Sequence, residues 1–275
     1  MPAAASAKVE SASRVRLLVV LTAIAMPIVA WLSTTGAFGP DQGTISDRYP
    51  TLLVAAGYAF SIWSLIFLLD LVHAGWQATG GRKDDATLGR VAPWTAAGFF
   101  LTTIWMPLFS QELFWLCLLV IFGALSCLAY SAIQLTRDPT PRERQRLWAW
   151  LPLSLHAGWL TLAAFLNLAQ VIVAYEWMPV DRQLPWSLAL YAVAAIVLLA
   201  LNHRMRGNVV YASAALWALV AVYVRQSGHE LAGADTSAWV AILIAVVLVV
   251  QTAMLRLRHP GGWVPEPATR IPVRR

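Results

Sequence analysis

The sequence predicts an all-α polytopic membrane protein, a helical bundle of eight transmembrane helices. Three observations carry that expectation. The 275 residues are 59% hydrophobic and only 12% charged, where a soluble domain carries about 25% charged residues. Apolar runs recur eight times, each near the roughly 20 residues that cross about 30 Å of hydrocarbon as a helix. The basic residues crowd into alternate connectors. With a mean hydropathy of +0.63, the chain is neither disordered nor a nucleic-acid-binding module. Its net charge of +6 therefore has to be read by position.

The first span, Leu17–Leu32, follows Lys8, Arg14 and Arg16. No convincing small-x-small cleavage site follows before Trp31 and the stretch is long for an h-region, so it reads as a retained helix and not a signal peptide. The breakers Gly36, Gly39 and Pro40 lead to the second span, Leu52–Gln77, which Gly80 and Gly81 close. The third and fourth, Val91–Phe109 and Leu113–Leu135, are parted by little more than Ser110–Glu112 and form a tight helical hairpin. Pro139 and Pro141 precede the fifth, Leu151–Ala174, and Pro179 and Asp181 the sixth, Trp186–Leu201. Val209–Val224 and Trp239–Leu255 complete the count. Of the 20 Lys and Arg residues, 17 lie in the two termini and the second, fourth and sixth connectors; only Arg48, Arg182 and Arg225 lie opposite. Basic residues stay on the cytoplasmic side during insertion. The split therefore predicts both termini in the cytoplasm, with the chain integral to a membrane, most simply the bacterial cytoplasmic membrane. A basic tail, residues 256–275, would lie against anionic headgroups.

Chemistry-bearing residues are few. Cys117 and Cys127 stand ten residues apart in one helix, about 15 Å, too far to bridge. Lysine is confined to Lys8 and Lys83, outside the spans, which excludes a retinal Schiff base. Walker, GxSxG and HExxH motifs are missing, and a haem axial ligand could come only from His156 or His73. Fourteen tryptophans exceed what aromatic belts at the span ends require; Trp63, Trp105, Trp159 and Trp217 fall inside spans.

Two faces stand out. In the fifth span His156, Trp159, Ala163, Asn167 and Gln170 follow at intervals of 3, 4, 4 and 3, which keeps them on one helix face. In the second, Phe60, Trp63, Phe67, Asp70 and Ala74 do the same. An ionisable group inside a span costs about 2.5–3.5 kcal/mol on insertion scales and faces the bundle interior. Asp70 and His156 fall within about one helical turn of the same depth, so a carboxylate–imidazole pair is possible. Interhelical hydrogen bonding is the plain reading of both; ligand contact and proton relay stay open beside it.

These residues resemble the tryptophan-rich sensory / translocator protein (TspO/MBR) family. Phe60-Ser-Ile-Trp63-Ser-Leu-Ile-Phe67 is similar to its second-helix Pro-x-Trp-x-x-Leu-Tyr, and Trp105-Met-Pro107-Leu-Phe109 to its third-helix Trp-Pro-Pro-x-Phe-Phe. Trp159-Leu-Thr-Leu-Ala163-Ala-Phe-Leu166-Asn167 is similar to its fifth-helix Ala-Trp-x-x-x-Ala-x-x-Leu-Asn. The pattern changes at Ser61, Phe67, Asp70 and Thr102. On this resemblance residues 1–14 are an N-terminal segment, 15–176 a TspO-like five-helix unit and 177–255 three additional helices. The resemblance implies an intramembrane pocket for a porphyrin, haem or sterol-like molecule, serving sensing or transport. Carried over by position, Trp63, Phe67, Trp105, Trp159 and Asn167 would line it; the two polar faces, read by themselves, add Asp70, His156 and Gln170 as candidate ligand contacts.

The expected partners are membrane lipids and a small hydrophobic ligand; a homodimer or a separate output protein is a further expectation. No cofactor is certain beyond a porphyrin or haem taken as ligand, and no metal site is expected. A proton-coupled small-molecule transporter using Asp70 and His156 is the alternative. Catalysis by His156 finds no nucleophile at a telling spacing, so no enzyme is assigned.

Overall fold

The computed structural model describes residues 2–258, with side chains described from residue 13 onward except at 83 and 84. Its α-helices are α1 (Pro2–Thr34), α2 (Gln42–Arg48), α3 (Ile62–Ala78), α4 (Ala86–Ser110), α5 (Phe114–Thr136), α6 (Leu151–Ala174), α7 (Gln183–Arg204), α8 (Val209–Gln226) and α9 (Ala234–Leu257). All but α2 are long and apolar enough to cross a membrane, and the described residues contain no strand. The eight spans follow the eight apolar runs. The expected basic tail lies outside the described residues, apart from its first three.

Side chains fix several helix starts. Asp85 accepts from Leu88 N (2.8 Å) at the head of α4, and Asn208 from Val210 N and Tyr211 N (3.0 and 3.1 Å) at the head of α8. Each satisfies amides that a helix start leaves without partners. Short helix α2 is capped by Asp41, which accepts from Gly43 N and Thr44 N at 2.9 and 3.1 Å.

Helices α1, α4, α5, α6 and α3 form a closed ring, each touching the next and α3 returning to α1. A second layer covers the outer side of α6: α8 packs on α6, α9 on α8, and α7 on both α9 and α6. Helix α6 is consequently the most buried of the eight, and its face with Phe165 and Ile172 packs inside protein. The approach of α6 to α8 depends on Gly158, where a Cβ would lie 2.3 Å from the Tyr211 carbonyl oxygen.

The second span departs from its expected boundaries. Its helix begins at Ile62, not Leu52: residues 57–61 form a 3-10 turn, and residues 50–56 are not helical. Thr51–Ala55 are nonetheless buried. In a hydrophobic environment a non-helical backbone needs protein partners for its polar groups, and here the second layer supplies them. Gln183 Nε2 donates to Pro50 O (3.2 Å), Gln226 Nε2 to Thr51 O and Val54 O (3.1 and 2.9 Å), and Tyr191 OH to Leu52 O (2.8 Å). Ser237 Oγ also donates to Leu52 O, Ala56 N donates to Ala221 O (2.9 Å), and Trp217 Nε1 to Ala59 O (3.0 Å).

The connector between α1 and α3 folds back over the α4–α5 hairpin. Gly39, at φ +129, comes so close to Ser110 that a Cβ would lie 2.6 Å from its carbonyl oxygen. Glu112, at the hairpin tip, accepts from Arg48 Nη1 (2.8 Å) and Tyr49 OH (2.7 Å). That hydrogen bond to Glu112 raises the Tyr49 phenol above its ordinary pKa.

Candidate functional site

Helices α3, α4 and α6 meet through an aromatic cluster near the end of the bundle that carries the α1–α3 connector. Trp63 is central. Its ring stacks on Phe67 (centroids 5.2 Å apart, 20° between planes), lies 6.4 Å from Trp105, and meets Trp159 edge-on at 5.8 Å. Such stacked and edge-on arrangements suit the quadrupole of the rings. Trp105 Nε1 donates to Asn167 Oδ1 at 2.9 Å. Gln170 Nε2 reaches Ser46 Oγ on α2 at 3.2 Å, tying α6 to the connector.

Below the cluster, toward the termini, lies the ionisable pair. His156 Nδ1 donates to Asp70 Oδ2 at 2.8 Å, and neither side chain has any solvent exposure. The imidazole stacks on Phe99 (5.9 Å, 16°) and meets the edge of Trp63 at 5.7 Å. Its Nε2 faces Thr102 Oγ1 at 3.4 Å, and that hydroxyl donates to the Gly98 carbonyl at 3.0 Å. His73, one turn further along α3, donates from Nδ1 to the Trp148 carbonyl at 2.8 Å.

All eight residues singled out in the sequence therefore converge, as two stacked layers on the facing sides of α3, α4 and α6. Phe99 belongs with them and was not singled out. Three residues from Thr102 it lies about 60° around α4 from that side chain, but six from Trp105 it lies about 120° away, so periodicity points to it only weakly. The contribution of Val54 and Ala55 from the non-helical segment carried no such signal.

Space is distributed unevenly around this cluster. Between α3, α4 and α6 there remains only about 30 Å³, bounded by Phe60, Trp63, Trp105, Trp159, Asn167, Val54 and Ala55 among others. That is room for about one water molecule. On the other side of α3 lies a groove of about 640 Å³, with walls that include Pro27, Trp31 and Ser33 of α1, Phe67 and Leu71 of α3, and Met106. Phe60 and Trp63 belong to both: they are the partition between groove and cluster. Asp41, at the groove's rim, has its carboxyl pKa lowered by hydrogen bonds from the Thr44 hydroxyl and from the Thr44 and Gly43 amides. Four buried polar atoms in or beside these spaces have no hydrogen-bond partner: Trp63 Nε1, Trp159 Nε1, Asp70 Oδ1 and Ser33 Oγ. Unsatisfied buried donors and acceptors are rare in folded proteins and call for an explanation.

Among the described residues no three His, Cys, Asp or Glu side chains gather to hold a metal ion. No curated protein and no solved structure matches the chain. One family model does, that of the TSPO-like protein, over residues 16–254. The match runs through all eight spans, including the three that the motif resemblance leaves out. On this match, with the apolar helical bundle beneath it, the chain is an integral membrane protein and belongs to the TSPO-like protein family.

Proposed function

We propose that the protein binds a flat hydrophobic molecule, of the tetrapyrrole or sterol-like class, at the aromatic cluster, and that it serves as a sensor or transporter of that ligand. The observation that carries this reading is the shared wall. A groove of about 640 Å³ falls within the roughly 300–1,000 Å³ of small-molecule sites, and Phe60 and Trp63 line both it and the small space inside the cluster. On this reading the Trp63 side chain turns to join the two spaces. A ligand seated there stacks on Trp63 and Trp159, and its acceptor atoms meet the indole N–H groups that now lack partners. Asn167, held by Trp105, and Gln170, held by Ser46, fix the polar edge.

The experiment is a titration of the detergent-purified protein with protoporphyrin IX and haem, following tryptophan fluorescence. Saturable quenching at micromolar ligand is expected, weakened by about tenfold or more in Trp63→Ala, Trp159→Phe and Asn167→Ala. Quenching that does not saturate, or is unchanged in all three variants, defeats the reading.

A second reading, proton-coupled movement of a small molecule, is favoured by one observation. Asp70 and His156 are wholly buried, and Asp70 keeps one carboxylate oxygen unpartnered. Buried ionisable groups in spans mark proton and substrate pathways.

A further inference from the structure

We propose that α7, α8 and α9 are a clamp for the ligand site, and that Gln226, Tyr191 and Ser237 are its positioning residues. They hold residues 50–56 as a fixed wall of that site. The inference rests on the reading that the site takes a ligand, and it assigns a task to three helices that the five-helix motifs do not reach.

The argument begins with the backbone. Val54 and Ala55 border the space beside Trp63 and Trp159, and Gly57 borders the groove. These residues lie outside regular α-helix, and the segment's own backbone supplies one turn bond, from Val54 N to Thr51 O at 3.3 Å. Their carbonyls are held from behind. Gln226 spans two of them, Thr51 O and Val54 O, with one amide nitrogen. Tyr191 OH and Ser237 Oγ converge on the Leu52 carbonyl and also contact one another at 2.7 Å. The Ala56 amide donates to the Ala221 carbonyl, a backbone bond between the segment and α8. Gln226, Tyr191 and Ser237 are buried, so water does not replace a bond that is removed. A buried carbonyl stripped of its partner costs about 1–3 kcal/mol. The segment then shifts to find another partner, and the site wall moves with it. On the outside, Arg225 Nη2 pairs with Asp47 Oδ1 at 2.7 Å, joining the end of α8 to α2. Five of the contacts come from α8, whose approach to α6 Gly158 permits.

The test uses the full-length protein carrying Val54→Cys, reacted in membranes with a charged, membrane-impermeant maleimide. Val54 is 5% exposed, and the native thiols Cys117 and Cys127 are buried, so slow labelling is expected. Gln226→Met, which keeps the side-chain volume and removes both hydrogen bonds, should speed labelling by about tenfold. Tyr191→Phe, which keeps the ring, should do so to a smaller extent. Both should weaken protoporphyrin IX binding in the chain with native Val54, while circular dichroism shows unchanged helix content. A role confined to global stability would lower the unfolding temperature without exposing position 54 in the folded protein. Labelling unchanged in both variants overturns the clamp whatever the ligand does. Faster labelling with unaltered affinity overturns it as well, because the segment is then no wall of the site. If the unmodified protein binds no porphyrin, the ligand reading fails alone, and labelling decides whether α7–α9 hold the segment.

Discussion

Asp70 carries the sharpest single-residue consequences. It accepts the Nδ1–H of His156 inside a region without solvent. Asp70→Asn keeps an acceptor oxygen at that place, so the fold should survive with a loss of about 1 kcal/mol or less. Asp70→Ala leaves the imidazole facing nothing and should cost about 3 kcal/mol. Unfolding in mixed micelles measures both. In proteoliposomes, pH-dependent uptake that persists in Asp70→Asn would sink proton coupling through this carboxyl. The legibility of the site at this scale is uneven. Helix periodicity alone aligned His156, Trp159, Asn167 and Gln170, and the depth arithmetic brought Asp70 to His156. Periodicity could not show how far the indoles fill the space between them. Trp63 packs against four of its neighbours, and the expected cavity shrinks to about 30 Å³. Side-chain packing of that kind depends on rotamers and neighbours that a hydropathy pattern does not encode.

Among the elements, the contact of α6 with α8 is the least forgiving. Gly158→Ala drives a methyl into the Tyr211 backbone, and neither helix can yield without opening the α6 face. Overpacking of this type costs about 1–3 kcal/mol. Gly75→Ala on α3 is the matched control. Nothing lies within 4 Å of its Cβ position, and alanine should gain about 0.5–1 kcal/mol of helix propensity. Opposite signs for the two variants, read as unfolding temperatures in one detergent, are the expected result; equal effects would mean the α6–α8 contact carries no special load. Most helices were legible because 20 apolar residues between breakers admit few other structures. Residues 52–61 were not. They are as apolar as the helix they precede, and what unwinds them is a set of partners on α7, α8 and α9 that lie more than 130 residues away in sequence.

For the molecule as a whole, the ring of five helices and the layer of three share α6 and the connector that both grip. Among the described residues, eight spans put the start of α1 and the end of α9 on one face. The distribution of 17 of the 20 basic residues predicts that this face is cytoplasmic. Reporter fusions at the N-terminus, at the α4–α5 hairpin tip and after residue 258 test this directly. Cytoplasmic activity is expected at the first and last positions and not at the hairpin. Any other pattern would refute the orientation.

The separation of the non-helical segment from its partners also sets a schedule for synthesis. The hydroxyl of Ser237 that meets the Leu52 carbonyl is encoded 185 residues later. At about 5–20 residues per second of translation, the carbonyl waits about 10–40 s for that partner. Before α7 and α8 are made, Leu52 O and Val54 O lack the donors Tyr191 and Gln226, and these carbonyls must rest where water reaches them. The ring can assemble before then, but its wall is set in place only when the last helix has been made.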